Sequence, residues 1–154
     1  MTERPRSIPN PGFADDTGEA DPIVLSALAA FDVGQAEVGA VDGILATSRL
    51  IVPVVAVAAD DDQPVGEVNR EKRTDMAMVT VTGRDGRRGL PVFTSVAALQ
   101  RWNAEARPVP VQARRAARAA IDDGADALLV DPSPRPRFVV AGERLTAMAD
   151  GWWA

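Results

Sequence analysis

The stretch RGLPVFTSVAALQRWNAEARPVPV, residues 88–111, carries the clearest structural signal in the sequence. Its first six residues, RGLPVF, are mostly apolar and predict a β-strand. Thr94 or Ser95 then suits the start of a helix, because a short hydroxyl side chain accepts a hydrogen bond from a free backbone amide there. Apolar residues follow at helical spacing on one face: Val96, Leu99 and Trp102. A short extended piece between Pro108 and Pro110 closes the stretch, so strand, helix and strand alternate.

Two helices and a strand are predicted before this stretch. Asp21 is a good helix cap and Pro22 suits the first helical turn, so a helix should begin there and end at Gly34. A second helix is predicted over residues 35–47. Residues 49–59 are nearly all β-branched or apolar, which predicts a strand with both faces covered. Pro53 removes one backbone donor from that strand, so we expect an edge or a bulge at that point.

A hairpin is predicted directly before residue 88. Residues 76–82 predict a second strand, and Gly83-Arg84-Asp85-Gly86 is typical of a tight turn. This connection is too short for a parallel crossover, so the second and third strands should be antiparallel. Beyond residue 111 the patterns predict a helix over 111–123, a buried strand over 127–130, a last strand over 138–141 and a last helix over 143–149. Asp131, before Pro132, is interpreted as a turn residue.

Length and composition indicate one α/β domain of the α+β type. Its predicted architecture is a mixed β-sheet of about five or six strands flanked by four or five helices. Of the 154 residues, 46% are hydrophobic and 25% are charged, which is ordinary for a globular protein. Residues 1–20 have few apolar side chains and are predicted to be a disordered tail, so the domain is expected to span residues 21–154.

The composition also limits the function. The chain has no histidine, cysteine or tyrosine, which removes the commonest general base, the thiolate nucleophile and zinc sites built from Cys and His. The net charge of −5 argues against a general affinity for nucleic acid or anionic lipid. The longest apolar run, residues 50–59, falls far short of the ~20 residues of a membrane helix. We therefore expect a cytoplasmic protein without a metal or a cofactor.

Four segments along the chain form a recognisable combination. They are SRLIVPVVAV (48–57), EKRTDMAMVTVTGRDGRRGLPVFTSVAAL (71–99), ARPVPVQARRAA (106–117) and GADALLVDP (124–132). Their order and spacing resemble the N-terminal domain of the SseB family over about residues 25–152. The resemblance implies a mixed α/β fold. It implies no reaction, because the family's label of enhanced serine sensitivity describes a phenotype and names no catalytic residue.

Two predicted binding sites lie at helices. Thr94 and Ser95 could hold an anion or a carboxylate with their hydroxyls and the free amides of a helix start, although helix capping explains the same residues. Arg114 and Arg118 lie one helical turn apart and could bind phosphate or an acidic partner. The alternative is a solvent-exposed helix face on which Arg118 pairs with Asp122.

Trp152 and Trp153 form a third candidate site. Two adjacent tryptophans cannot both point inward from the end of a helix, so one should be partly exposed. That side chain could dock on its own domain, on a second copy or on a partner.

Together these observations favour a non-enzymatic interaction or regulatory module that binds another protein or itself. One alternative is a small-ligand sensor, for an amino acid or an anion, which rests on Thr94 and Ser95 and weakly on the family label. The other is a carboxylate-dependent enzyme, since acid–base catalysis does not require histidine. No carboxylate pair stands out by its spacing.

Overall fold

The computed structural model describes residues 16–57, 75–133 and 135–151. Within these ranges the chain forms five helices and seven strands, which confirms the α+β fold class. In chain order they are α1 (Pro22–Asp32), α2 (Val38–Ala46), β1 (Arg49–Val57), β2 (Asp75–Met78), β3 (Val81–Thr82), β4 (Arg88–Val92), α3 (Val96–Trp102), β5 (Arg107–Gln112), α4 (Ala113–Asp122), β6 (Ala127–Val130), β7 (Phe138–Ala141) and α5 (Glu143–Ala149).

The described strands divide between two sheets, where the sequence led us to expect one. An antiparallel sheet has the strand order β2-β1-β5, and a mixed sheet has the order β3-β4-β6-β7 with β4 and β6 parallel. The sheets meet where Ile51 and Phe93 exchange two backbone hydrogen bonds of 2.8 Å. Strands β4 and β6 are joined through α3, β5 and α4, the long crossover that a parallel pair requires.

The predicted hairpin forms, but its first strand is split. Val81 and Thr82 of β3 pair with Gly89 and Arg88 of β4 in the expected antiparallel manner. Residues 75–78 instead form β2 and pair with β1 in the other sheet. The prediction of a single strand over residues 76–82 was therefore wrong. A local apolar pattern does not show that its two halves will find different partners.

Pro53 does not interrupt β1, which is the central strand of its sheet. The register of β1 with β5 is continuous from Arg49 to Val54, so no bulge lies at Pro53. The register of β1 with β2 covers only Val54 to Val57, so Pro53 lies where β1 pairs with β5 alone, which agrees with the predicted edge. Pro53 lies opposite Pro108. Since neither residue has a backbone N–H, this pair occupies a position of the ladder where no N–H is needed. Strand β5 lies at the sheet edge, where prolines also discourage pairing with another chain.

The main core lies between the helices and one side of the strands. Helices α4 and α5 pack against each other and against the mixed sheet. Helix α2 packs against both of these helices. The four alanines that α4 buries allow a close approach to the strands: Ala113, Ala116, Ala117 and Ala120. A smaller core lies under α3, where Phe93 packs on Trp102 with ring centroids 5.4 Å apart.

Candidate functional site

The start of α3 separates the roles of two adjacent hydroxyl residues. Ser95 caps the helix, because its Oγ accepts a 3.0 Å hydrogen bond from the amide of Ala98. Thr94 instead donates from its amide and from Oγ1 to the carboxylate of Asp131, at 2.9 and 2.8 Å. Thr94 is only 4% exposed. The donors that the sequence assigned to an external anion are thus occupied by a carboxylate of the same chain.

Asp131 is held in an unusual backbone conformation at this point. Its φ angle is 48°, in the left-handed region, and its amide donates to Val92 at 2.8 Å. A non-glycine residue pays roughly 1–2 kcal/mol for that conformation, which the two hydrogen bonds from Thr94 offset. Asp131 was interpreted as a turn residue. Its second role depends on the parallel pairing of β4 and β6, which places the ends of these strands side by side.

Arg49 connects the same helix start to the beginning of the described chain. Its guanidinium pairs with Asp16 at 2.7 Å and donates to the backbone oxygens of Glu19 at 2.7 Å and Thr94 at 2.9 Å. The amide of Val96 also donates to the Gly18 oxygen at 2.8 Å. Residues 16, 18 and 19 therefore contact the domain from the N-terminal side of the predicted boundary at residue 21. Residues 1–15 lie outside the described part of the chain.

A small pocket of about 280 Å³ opens beside Asp131. Its lining combines an apolar floor with groups of both charges: Phe93, Ala98, Arg101, Asp131, Ser133 and Arg137. Arg137 already pairs with Asp32 at 2.9 Å. Arg101 has no ion pair with any residue that the structure describes. The pocket lining therefore includes two guanidinium groups and one carboxylate.

The arginine pair of α4 faces the end of α5. Arg118 pairs with Asp150 at 3.0 Å, and not with Asp122 as the sequence led us to expect. Arg114 lies against Gly151, whose Cα is so close that an added Cβ would be 2.8 Å from Nη1 of Arg114. These arginines thus meet the C-terminal end of another helix. Trp152 and Trp153, the third predicted site, lie outside the described residues.

The mixed sheet has a second face, which the predicted binding sites do not include. Strand register places Val81, Gly89, Ala127 and Ala141 in one row across four strands, and Leu129 beside Val139 in the next. Side chains alternate along each strand, so both rows point away from the core residues Leu128 and Val140. We call this surface the open sheet face: Val81, Gly89, Ala127, Leu129, Val139 and Ala141.

The open sheet face forms a shallow groove of about 280 Å³. Every residue that lines the groove belongs to a strand, a turn or a loop, so no described helix forms a wall of it. Val139 is 37% exposed. Charged residues of both signs surround the apolar floor: Asp85, Arg87, Arg88 and Asp126.

Apolar runs in the sequence contained the signal for this surface. The strand sequences ALLV and FVVA are apolar on both faces, and we interpreted the first as a buried strand. Three of its four residues are buried, as predicted, and Leu129 is half-buried. In the described structure, α4 and α5 cover only the side that carries Leu128 and Val140.

Comparisons with known proteins identify the family. The family model described as the SseB protein N-terminal domain matches residues 24–147. The chain belongs to the SseB family. The matched part of this SseB domain includes the whole open sheet face and the contact between Thr94 and Asp131. Comparison with curated proteins and with solved structures gave no match.

Two further properties of the SseB domain concern the described residues alone. They contain no group of three or more acidic side chains placed to hold a metal ion. Their helices are all too short or too polar to span a lipid bilayer.

Proposed function

We propose that this SseB domain is a cytoplasmic protein-interaction module that acts by binding and not by catalysis. The observation that carries the proposal is the open sheet face, where Val139 is exposed, Val81, Leu129 and Ala141 are half-buried, and no described helix lines the groove. An antiparallel or mixed sheet that faces water normally alternates apolar and polar side chains. A contiguous apolar surface with a charged margin is typical of a protein-binding site.

The absence of histidine and cysteine from the sequence supports a binding role, because the commonest nucleophile–base pairs cannot form. The margin of the open sheet face supports it as well. Arg87 and Asp85 lie 3.7 Å apart and are 75% and 65% exposed, so they remain available to a partner at the edge of the contact. Margins of this kind set specificity and association rate more than affinity.

Substitution of the most exposed residue of the face tests the proposal. The full chain, the Val139→Asp variant and the Val33→Asp variant are immobilised, and proteins retained from an extract of the native cells are identified by mass spectrometry. Val33 is 67% exposed at the end of α1 and serves as the control. We expect at least one protein that wild type and Val33→Asp retain and Val139→Asp loses. Identical sets for all three chains would overturn the proposal.

Small-ligand sensing is a second candidate function, for an amino acid or an anion. The observation that favours it is the pocket beside Asp131, in which Arg101 lacks an ion pair with any described residue. Thermal unfolding with millimolar amino acids, carboxylates and phosphate tests this function. A ligand that raises the midpoint of wild type but not of Arg101→Ala would support it, because binding to the native state alone stabilises by mass action. No shift with any compound would exclude it.

A further inference from the structure

The pocket beside Asp131 lies at one end of the mixed sheet. Strands β4 and β6 are parallel, so their carboxyl ends lie side by side, and Phe93 and Asp131 follow directly after them. Arg137 directly precedes the antiparallel β7, and its amide donates to the Val130 oxygen at 2.9 Å, so it lies at the same end. In open α/β sheets, ligands bind beyond the carboxyl ends of parallel strands. This pocket has the same position in a mixed sheet.

Two opposite charges line this pocket without neutralising each other. Arg101 and Asp131 both belong to the lining, yet they form no ion pair with each other or with any other residue that the structure describes. Arg137 differs, because its guanidinium is paired with Asp32 at 2.9 Å. Among the described residues, the lining therefore contributes one cation and one anion that lack a charged partner.

The Asp131 carboxylate is held in place and can still accept hydrogen bonds. Thr94, which is only 4% exposed, donates to Oδ1 from its amide at 2.9 Å and to Oδ2 from its hydroxyl at 2.8 Å. An ionised carboxylate has about four lone-pair sites, so about two of them remain. The left-handed φ angle of 48° at Asp131 persists only where the surrounding structure enforces it. An acceptor fixed in this way loses little conformational entropy when a ligand binds.

Charge complementarity selects the ligand. A simple anion would be attracted by Arg101 and repelled by Asp131, and a simple cation would meet the reverse, which weakens the binding of either. A molecule that carries both a carboxylate and an ammonium group compensates the two charges together. The volume of about 280 Å³ corresponds to about nine waters at ~30 Å³ each. The ligand therefore has on the order of nine or ten non-hydrogen atoms by the same volume.

We propose that this pocket binds a small zwitterion, whose carboxylate pairs with Arg101 and whose ammonium group donates to Asp131. The inference rests on small-ligand sensing, the second candidate function, and names its ligand class. Ala98 lies one helical turn before Arg101 on α3 and also lines the pocket, so both residues belong to the helix face beside it. A guanidinium offers a carboxylate two parallel N–H donors, which favours this group over other acceptors.

A series of zwitterions with increasing charge separation tests the proposal. Glycine, β-alanine and 4-aminobutanoate place the two charges progressively further apart. Acetate carries only the anion, methylammonium carries only the cation, and phosphate is an anion of another kind. Each compound is titrated to tens of millimolar, at constant ionic strength, into the isotope-labelled full chain. The amide signals of Thr94, Asp131 and Ser133 are followed by NMR, and their shifts give the Kd.

We expect saturable shifts of these amides with at least one of the zwitterions, and a Kd at least tenfold higher for acetate and for methylammonium. Arg101→Ala and Asp131→Asn should each raise the Kd of that zwitterion at least tenfold. Arg115→Ala and Asp122→Asn, which are exposed changes on α4, are the matched controls and should stay within twofold. If Asp131→Asn unfolds, the exposed Arg101→Ala change and the ligand series still decide the question.

Other results separate this inference from the function on which it rests. A Kd that is equal for the zwitterions and for acetate, or unchanged by Arg101→Ala, would overturn the zwitterion. Binding of acetate or phosphate alone, if Arg101→Ala abolished it, would also overturn the zwitterion but leave small-ligand sensing intact. If none of these compounds shifted the three amides, the inference and small-ligand sensing at this pocket would both be overturned.

Discussion

Arg144 holds the buried carboxylate of Asp42 with two hydrogen bonds, 2.6 Å from Nε and 2.9 Å from Nη2. Asp42 is 1% exposed, and the two residues join α2 to α5. The same guanidinium donates to the Val139 oxygen at 2.7 Å and lies 5.4 Å from the centre of the Phe138 ring. One side chain therefore connects two helices to β7, the strand that contributes Val139 and Ala141 to the open sheet face.

Removal of Arg144 should destabilise the domain far more than removal of Arg118. Arg144→Ala leaves the Asp42 carboxylate buried without its partner, and the expected loss is about 3 kcal/mol of unfolding free energy. Arg118→Ala breaks a pair with Asp150 in which both side chains are about half exposed, and should cost less than 1 kcal/mol. Urea unfolding followed by circular dichroism measures both. Equal losses of unfolding free energy for the two variants would show that the burial of the Asp42 carboxylate does not make its ion pair the more important one.

Thr94 should tolerate serine but not valine. Thr94→Val keeps the shape of the side chain and removes the hydroxyl that donates to Asp131 at 2.8 Å, so we expect a loss of about 1.5–3 kcal/mol, as for a hydrogen bond to a charged group. Thr94→Ser retains the donor and should lose under 1 kcal/mol. A Thr94→Val protein as stable as Thr94→Ser would show that the hydroxyl does not hold Asp131.

The neighbouring Ser95 should behave as a helix cap. Ser95→Ala removes the acceptor for the Ala98 amide and should lower the unfolding free energy by about 1 kcal/mol. Ser95→Asp supplies another acceptor and should restore most of that value. Thermal unfolding of the two variants beside wild type gives the comparison, and a Ser95→Asp variant no more stable than Ser95→Ala would argue against capping.

Two glycine substitutions should change the unfolding free energy in opposite directions. Gly89→Ala brings a Cβ to 2.6 Å from Cδ1 of Leu129, and this overpacking should cost about 1–2 kcal/mol. Gly39→Ala, in α2, meets no heavy atom within 4 Å and should add about 0.5–1 kcal/mol through helix propensity. Denaturant unfolding measures each change.

A double substitution provides the control for Gly89. If the added Cβ clashes with Leu129, Gly89→Ala should lower the unfolding free energy less in a Leu129→Ala background. The effects of substitutions at two contacting residues are generally not additive. If the losses of unfolding free energy were additive, the clash caused by Gly89→Ala would not be with Leu129.

Arg49 should hold the first described residues against the domain. Arg49→Ala removes the contacts with Asp16, Glu19 and Thr94, so the hydrogen bond from the Val96 amide to Gly18 should open more often. Hydrogen exchange at that amide should accelerate by tenfold or more, while amides of β6 keep their rates. Arg115→Ala, an exposed change on α4, is the control. Unchanged exchange at Val96 would show that Arg49 is not needed to fix this segment.

Local patterns in the sequence were sufficient for most individual elements. Strands 127–130 and 138–141 and helix 143–149 were predicted with the bounds that the structure shows. Period-two and helical spacings, proline positions and capping hydroxyls act within a few residues of themselves, so they can be recognised without knowing the fold. The family resemblance rested on the same short segments and is confirmed.

Pairing between distant segments could not be recognised in this way. The split of residues 76–82 between two sheets, the contact of Thr94 with Asp131 and the burial of Asp42 under Arg144 each join residues that local periodicity treats independently. The open sheet face has the same origin, because a strand such as ALLV looks equally apolar on both sides until helices cover one of them. Side-chain chemistry was therefore visible along the chain, whereas its partners and its exposure followed only from how the sheets and helices packed.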